Sequence, residues 1–199
     1  MVKQKNPELE QRRKQHIVAT CYELLSRESH GSVTLTRIAE EAGVSKGMLT
    51  YYFDSKDQLF VETIGYFLTL QVKAIGDLSS SDLTTEERLR QLVEAVLPGR
   101  AELEQEIRFM VEVWSFAKTR PDVLDKMRLA YLAFRSECAA MVERGVQEGV
   151  VSAADADWIH LVIHALLDGM SFQLVIDPEL DVASVRQRLI TLLERLLRT

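Results

Sequence analysis

The 199-residue sequence predicts an all-α protein: an N-terminal three-helix helix-turn-helix domain plus a larger C-terminal helical domain, about nine helices in total. Three observations predict this class. Apolar residues recur at helical spacing in almost every segment. No stretch alternates apolar and polar residues as a half-buried strand would. Gly, Pro and Ser-rich breaks cut the pattern into pieces of helix length.

Taken in order, the first helix opens at Asn6, a suitable N-cap, with Pro7 in its first turn and Glu8 and Glu10 at the positive end of the dipole. Ile17, Val18, Cys21, Leu24 and Leu25 form its apolar stripe, and it stops near Ser29, His30 and Gly31. Thr34 caps a short second helix carrying Leu35, Ile38, Ala39 and Ala42, ended by Gly43. Ser45 caps a third, with Leu49 and Phe53 facing inward. Ser55 and Gln58 stand at capping-box spacing and open a fourth, which runs through Leu59, Phe60, Thr63, Ile64 and Phe67 towards Leu78. Ser79 to Asp82 reads as the one clear linker. Thr84 and Glu87 offer a second capping box, before a helix with Leu89, Leu92, Val93, Val96 and Leu97 that Pro98 and Gly99 break. Two helices follow, about Arg100 to Ala117 and Pro121 to Glu148. Ser152 with Asp155 opens an eighth, ending at Ile176, and the last spans about Val182 to Arg198.

The composition is that of an ordinary folded chain, with 47% hydrophobic and 27% charged residues. A polar N-terminus without an apolar core leads to the expectation of no signal peptide. No unbroken apolar run approaches the roughly 20 residues of a bilayer crossing. Cys21 and Cys138 both fall on apolar helix faces, which predicts reduced, buried thiols and a cytoplasmic location without membrane attachment. The net charge of −6 divides unevenly: residues 1–56 hold nine Lys/Arg against seven Asp/Glu, the remainder fifteen against twenty-three. A mildly basic end on an acidic body suits an end that meets phosphate.

The stretch from Thr34 to Lys56, TLTRIAEEAGVSKGMLTYYFDSK, carries the chemistry. Two short helices crossing steeply need a small residue where they touch, supplied by Ala39, and a turn with φ > 0, supplied by Gly43. Ile38, Val44 and Leu49 then plug the wedge. The outer face of the second of these helices, Lys46, Gly47, Met48, Thr50, Tyr51 and Tyr52, is small, basic and aromatic. A tight corner inside a bundle would share the turn, but adjacent Tyr51 and Tyr52 cannot both face one core at about 100° per residue. On this reading Lys46, Tyr51, Tyr52 and Lys56 anchor the DNA backbone, while Met48 and Thr50 offer apolar contact to thymine methyls.

The same residues resemble the N-terminal signature of the TetR family of transcriptional regulators, over about Ile17 to Phe60. The order is specific: Leu24-Leu25, Thr34, Ile38-Ala39, Gly43-Val44-Ser45, Lys46-Gly47, Leu49, Tyr51-Tyr52-Phe53, Ser55-Lys56 and Leu59-Phe60. The resemblance implies a DNA-binding domain at 1–55 and a helical ligand-binding and dimerisation domain at 56–199. It implies a repressor released from a palindromic operator by a small-molecule effector, with activation left open as the alternative. By position it assigns DNA contact to Thr34, Thr36, Arg37, Ser45, Lys46, Gly47, Met48, Thr50, Tyr51, Tyr52 and Lys56. Many members have Tyr at the place of Thr50 and His at the place of Tyr52, so no relative's operator transfers. Trp114-Ser115-Phe116-Ala117 and Leu166-Leu167-Asp168-Gly169 resemble the branch of the choline-responsive regulator BetI.

The last two helices are too apolar for one buried side and suit a four-helix bundle across a two-fold axis, with Trp158, Ile159, Val162, Leu166, Leu189, Leu193 and Leu196 at the dimer interface. An effector pocket would draw on Tyr66, Phe67, Phe109, Met110, Trp114, Tyr131, Phe134, Met141 and His164, although each alone reads equally as core. His160, His164 and Asp168 share one helix face but lack the Glu of a zinc-protease helix, so no metal and no cofactor is expected. No nucleophile–base pair or phosphate loop points to an enzyme or to catalytic residues. A helical adaptor without DNA affinity is the remaining alternative class.

Overall fold

The computed structural model describes residues 7–152 and 156–198, the side chains of 156 and 157 excepted. Asn6 and Asp155, expected at two helix starts, lie outside the described residues. Among the described residues there are nine α-helices and no strand: α1 (Pro7–Leu25), α2 (Leu35–Glu41), α3 (Lys46–Tyr52), α4 (Lys56–Ser79), α5 (Thr85–Val96), α6 (Arg100–Ala117), α7 (Pro121–Gln147), α8 (Ala156–Ile176) and α9 (Val182–Arg198). The chain forms two compact units, the first of residues 1–69 and 108–126, the second of residues 70–107 and 127–199. The first unit therefore reaches beyond the 1–55 boundary expected from the sequence, because the start of α4, the end of α6 and the start of α7 pack with it.

In the first unit, Ile17, Val18, Cys21, Leu24 and Leu25 of α1 are buried, as their spacing requires. Ile38 and Ala39 of α2 and Leu49 of α3 complete the corner, and Phe53, Leu59, Phe60 and Ile64 close beneath it. Aromatic rings fill the rest: Phe109 meets Tyr22 at 4.9 Å, Phe67 at 5.0 Å and Phe60 at 6.1 Å, each edge to face. Burial lifts the Cys21 thiol to about 11, so it stays protonated and packs as a small apolar group.

The second unit is held by α5, α8 and α9 around Leu89, Leu92, Val93, Ile163, Leu167, Leu189, Ile190 and Leu193. The capping box forms as its spacing predicts: the Glu87 amide donates to Thr84 Oγ1 (3.3 Å), and the Thr84 amide to Glu87 Oε2 (2.9 Å). Ser79 to Asp82 is no slack linker. Ser80 and Ser81 donate back to carbonyls of the last turn of α4, and the Ser81 carbonyl accepts from both Arg88 and Arg144. Arg88 is only 2% exposed, and its guanidinium also faces Glu148 at 3.7 Å. In the same way Arg186 donates to the Leu97 and Pro98 carbonyls before α6, and Arg100 to the carbonyls of Leu174 in the last turn of α8 and of Leu180 before α9.

One expectation needs correction. Lys56–Ser79 and Trp158–Ile176 have the length and mean hydropathy, 1.2 and 1.6, of a bilayer crossing. Single polar residues such as Thr63, Thr69, His164 and Ser171 interrupt the apolar runs, yet barely lower the average over a whole helix.

Candidate nucleic-acid interface and a polar nest

The corner between α2 and α3 is built by local chemistry. Thr34 Oγ1 accepts the Arg37 amide (3.2 Å) and Ser45 Oγ accepts the Met48 amide (3.1 Å), so both helices start on a side-chain cap. Between them Gly43 sits at φ 63°, in the left-handed region. The Gly43 amide closes on Glu40 O (3.1 Å) and the Val44 amide on Ala39 O (2.9 Å), the paired closure that ends a helix at glycine.

This turn leaves one side of α3 to solvent. Ser45, Lys46, Gly47, Thr50 and Tyr51 are exposed, Met48 and Tyr52 half-buried, and Tyr51 keeps 59% of its surface. Tyr51 and Tyr52 meet edge to face at 5.1 Å, which stiffens two phenols on a seven-residue helix. Thr50 donates its hydroxyl to Lys46 O (3.1 Å), so its methyl is the group it offers outward. Thr34, Thr36 and Arg37 are exposed as well, Arg37 beside Glu41 at 3.5 Å. Lys56 differs from the other ten residues assigned to DNA. Half-buried like Met48 and Tyr52, it spends its charge within the protein, where its ammonium donates to the carbonyls of His30 and Val33.

The residues expected around an effector separate between the two units. Phe67 and Phe109 are spent in the aromatic core of the first unit; Tyr66 and Met110 are half-buried there, and Trp114 is 47% exposed. Met141, in the second unit, lines an apolar cavity of about 20 Å³, room for a water molecule but for no effector. Tyr131, Phe134 and His164 do meet. The His164 ring stacks on Phe134 at 4.2 Å and on Tyr131 at 4.9 Å. Its Nε2 lies 3.6 Å from Asp168, whose carboxylate also accepts the Tyr131 hydroxyl at 3.4 Å. Arg135 Nε and His160 Nδ1 are buried without a hydrogen-bond partner in the structure. Burial lowers the His164 pKa, with Arg135 and His160 adding to it and Asp168 opposing. Burial likewise raises Asp168, while burial and then the Asp168 charge push Tyr131 up to about 12. No group of three metal-ligating side chains occurs among the described residues.

On α8 and α9, Ile159, Leu189 and Leu193 are buried inside the second unit. Of the seven residues assigned to a dimer interface, these three have their apolar surface covered within the subunit. Trp158 and Leu196 are exposed and Val162 and Leu166 half-buried; Phe172, Ile176 and Leu192, which the sequence reading did not select, join them on the open faces.

Comparison with known proteins gives a concordant result. A family model described as bacterial regulatory proteins, tetR family, matches residues 17–63. A second, BetI-type transcriptional repressor, C-terminal, matches residues 85–198. The HTH-type transcriptional regulator PksA of Bacillus subtilis (strain 168) is 26% identical over 169 residues, 85% of this chain and 81% of that protein. The HTH-type transcriptional regulator BetI 2 of Chromohalobacter salexigens is 25% identical over 190 residues, 93% of this chain and 88% of that one. The crystal structure of a transcriptional regulator from Saccharomonospora viridis in complex with choline is 26% identical, with a TM-score of 0.81, over 92% of this chain and 96% of that chain.

Proposed function

The chain belongs to the tetR family of bacterial regulatory proteins, with a C-terminal part of the BetI repressor type, and from that premise we propose how this DNA-binding transcriptional repressor holds its operator and what releases it. The carrying observation is the capped corner at Gly43, which presents Lys46, Thr50 and Tyr51 outward on α3. The face enters the major groove, with Lys46, Tyr51 and Tyr52 on phosphates and Met48 and Thr50 against thymine methyls. Thr34, Thr36, Arg37 and Ser45 hold the flanking backbone. The repressor works as a cytoplasmic homodimer, since two reading helices must meet successive major grooves about 34 Å apart. The open faces of α8 and α9, with Trp158, Leu192 and Leu196, supply the apolar surface for the second copy.

The effector site is the nest of Tyr131, Phe134, His164 and Asp168. Stacked rings beside a carboxylate suit a small organic cation, and the similar regulator from Saccharomonospora viridis holds choline. Choline is therefore the first probe. Helix α4 contributes residues to both units, and a shift along it would change the presentation of α3.

The test begins by selecting an operator from a random duplex library and measuring its affinity at two salt concentrations, with and without choline. Palindromic, salt-dependent binding by a dimer that choline weakens is the expected result. Binding indifferent to sequence would overturn the operator reading. Binding indifferent to choline would overturn this effector while leaving the repressor reading intact.

A further inference from the structure

The turn between α1 and α2 sets where the helix-turn-helix begins, and four side chains distant in sequence grip it. The His30 amide donates to Glu112 Oε2 of α6 at 3.0 Å, across 82 residues of sequence. The His30 and Val33 carbonyls accept the Lys56 ammonium, the latter at 2.8 Å. The His30 ring lies stacked on Phe60 at 4.5 Å and tilted against Phe116 at 5.3 Å. One short turn is thus held between a carboxylate and an ammonium, both through charge-assisted bonds to backbone.

Lys56 is the first residue of α4, where a cation meets the positive end of the helix dipole. A lysine reaching for phosphate would keep its head in water at that unfavourable position. Here two of its three N–H groups are already spent on carbonyls, which offset the dipole.

We propose that Lys56 and Glu112 are positioning residues for DNA binding: they fix the α1–α2 turn and thereby aim α2 and α3, and Lys56 makes no phosphate contact. This inference rests on α3 being the reading helix, so Lys46→Ala is measured alongside to separate the two ideas. Each neutralised phosphate contributes roughly 0.9 to the slope of log K against log salt concentration. Lys46→Ala removes one phosphate contact from each subunit of the dimer and should lower that slope by about two. Lys56→Met should weaken operator binding on the order of tenfold with the slope unchanged, and Lys56→Arg, which can still bridge two carbonyls, should recover much of the loss. Glu112→Ala should weaken binding similarly at unchanged slope, whereas Glu112→Gln keeps an acceptor for the amide and should bind close to wild type.

Circular dichroism and dimer mass, recorded for every variant, separate misaiming from unfolding. Should Lys56→Met fail to fold, the Glu112 pair and Lys56→Arg decide the matter. A slope lowered by about two in Lys56→Met would overturn the proposal, as would wild-type affinity in Glu112→Ala. An unchanged slope in Lys46→Ala would instead unseat the α3 assignment.

Discussion

Two polar clusters, one in each compact unit, use their side chains in opposite ways. In the first, Lys56, Glu112, Thr34 and Ser45 are all engaged with backbone amides or carbonyls, so their charge and dipoles fix where the chain runs. In the second, the nest of Tyr131, His164 and Asp168 pairs side chain with side chain, and Arg135 Nε and His160 Nδ1 have no protein partner. Side chains pinned to backbone define a geometry. Side chains facing one another leave room for protons and ligands to change the balance. The difference suits the roles proposed above, aiming for the first cluster and sensing for the second.

The largest way to break this contrast is Phe109→Ala. That ring touches Tyr22, Phe60 and Phe67 and is fully buried, so its loss should cost about 3–5 kcal/mol in denaturant unfolding. Next comes Tyr51→Ala, exposed on α3. It should weaken operator binding by roughly ten- to a hundredfold, about 1.4–2.8 kcal/mol in titration, with the unfolding midpoint unmoved. Gly43→Ala forces a Cβ into a backbone at φ 63° and should cost about 1–2 kcal/mol in unfolding. Thr84→Ala removes the cap of α5 and should cost about 1 kcal/mol.

The smallest effect sharpens the second unit. Because burial lowers the His164 pKa below its ordinary 6.5, the unfolded chain binds the proton more readily there. The contribution of His164 to stability should then rise with pH towards about 6.5 and level off above it. His164→Gln should remove that contribution in unfolding experiments across pH 5 to 7; His30, whose pKa burial and Lys56 also lower, adds a rise of its own, while Glu106, which burial lifts to about 7, and Asp168, which burial also raises, contribute the opposite slope.

Where information was local, the sequence was legible. The helix pattern, the glycine turn and the Thr84–Glu87 box depend on neighbours within four residues, and the structure has them where their spacing predicts. What escaped was long-range. Lys56 reads as a phosphate lysine because its position in the motif says so, and nothing within the motif reveals that two carbonyls 26 and 23 residues earlier claim it. Glu112 sits on α6 among apolar residues at ordinary spacing, and its partner lies 82 residues away. The aromatics assigned to one pocket likewise divide between two units, since composition shows that rings are buried but not with which neighbours.

The composition of the first unit also bears on how such regulators exchange parts. Its aromatic core and the grip on His30 include Phe109, Glu112 and Phe116, all from beyond residue 107. A chimera that transplants only residues 1–55 onto another body would arrive with an unpaired turn and half a core. The transferable module is discontinuous, and a graft that carries residues 108–126 together with 1–69 is the one that keeps its bearings.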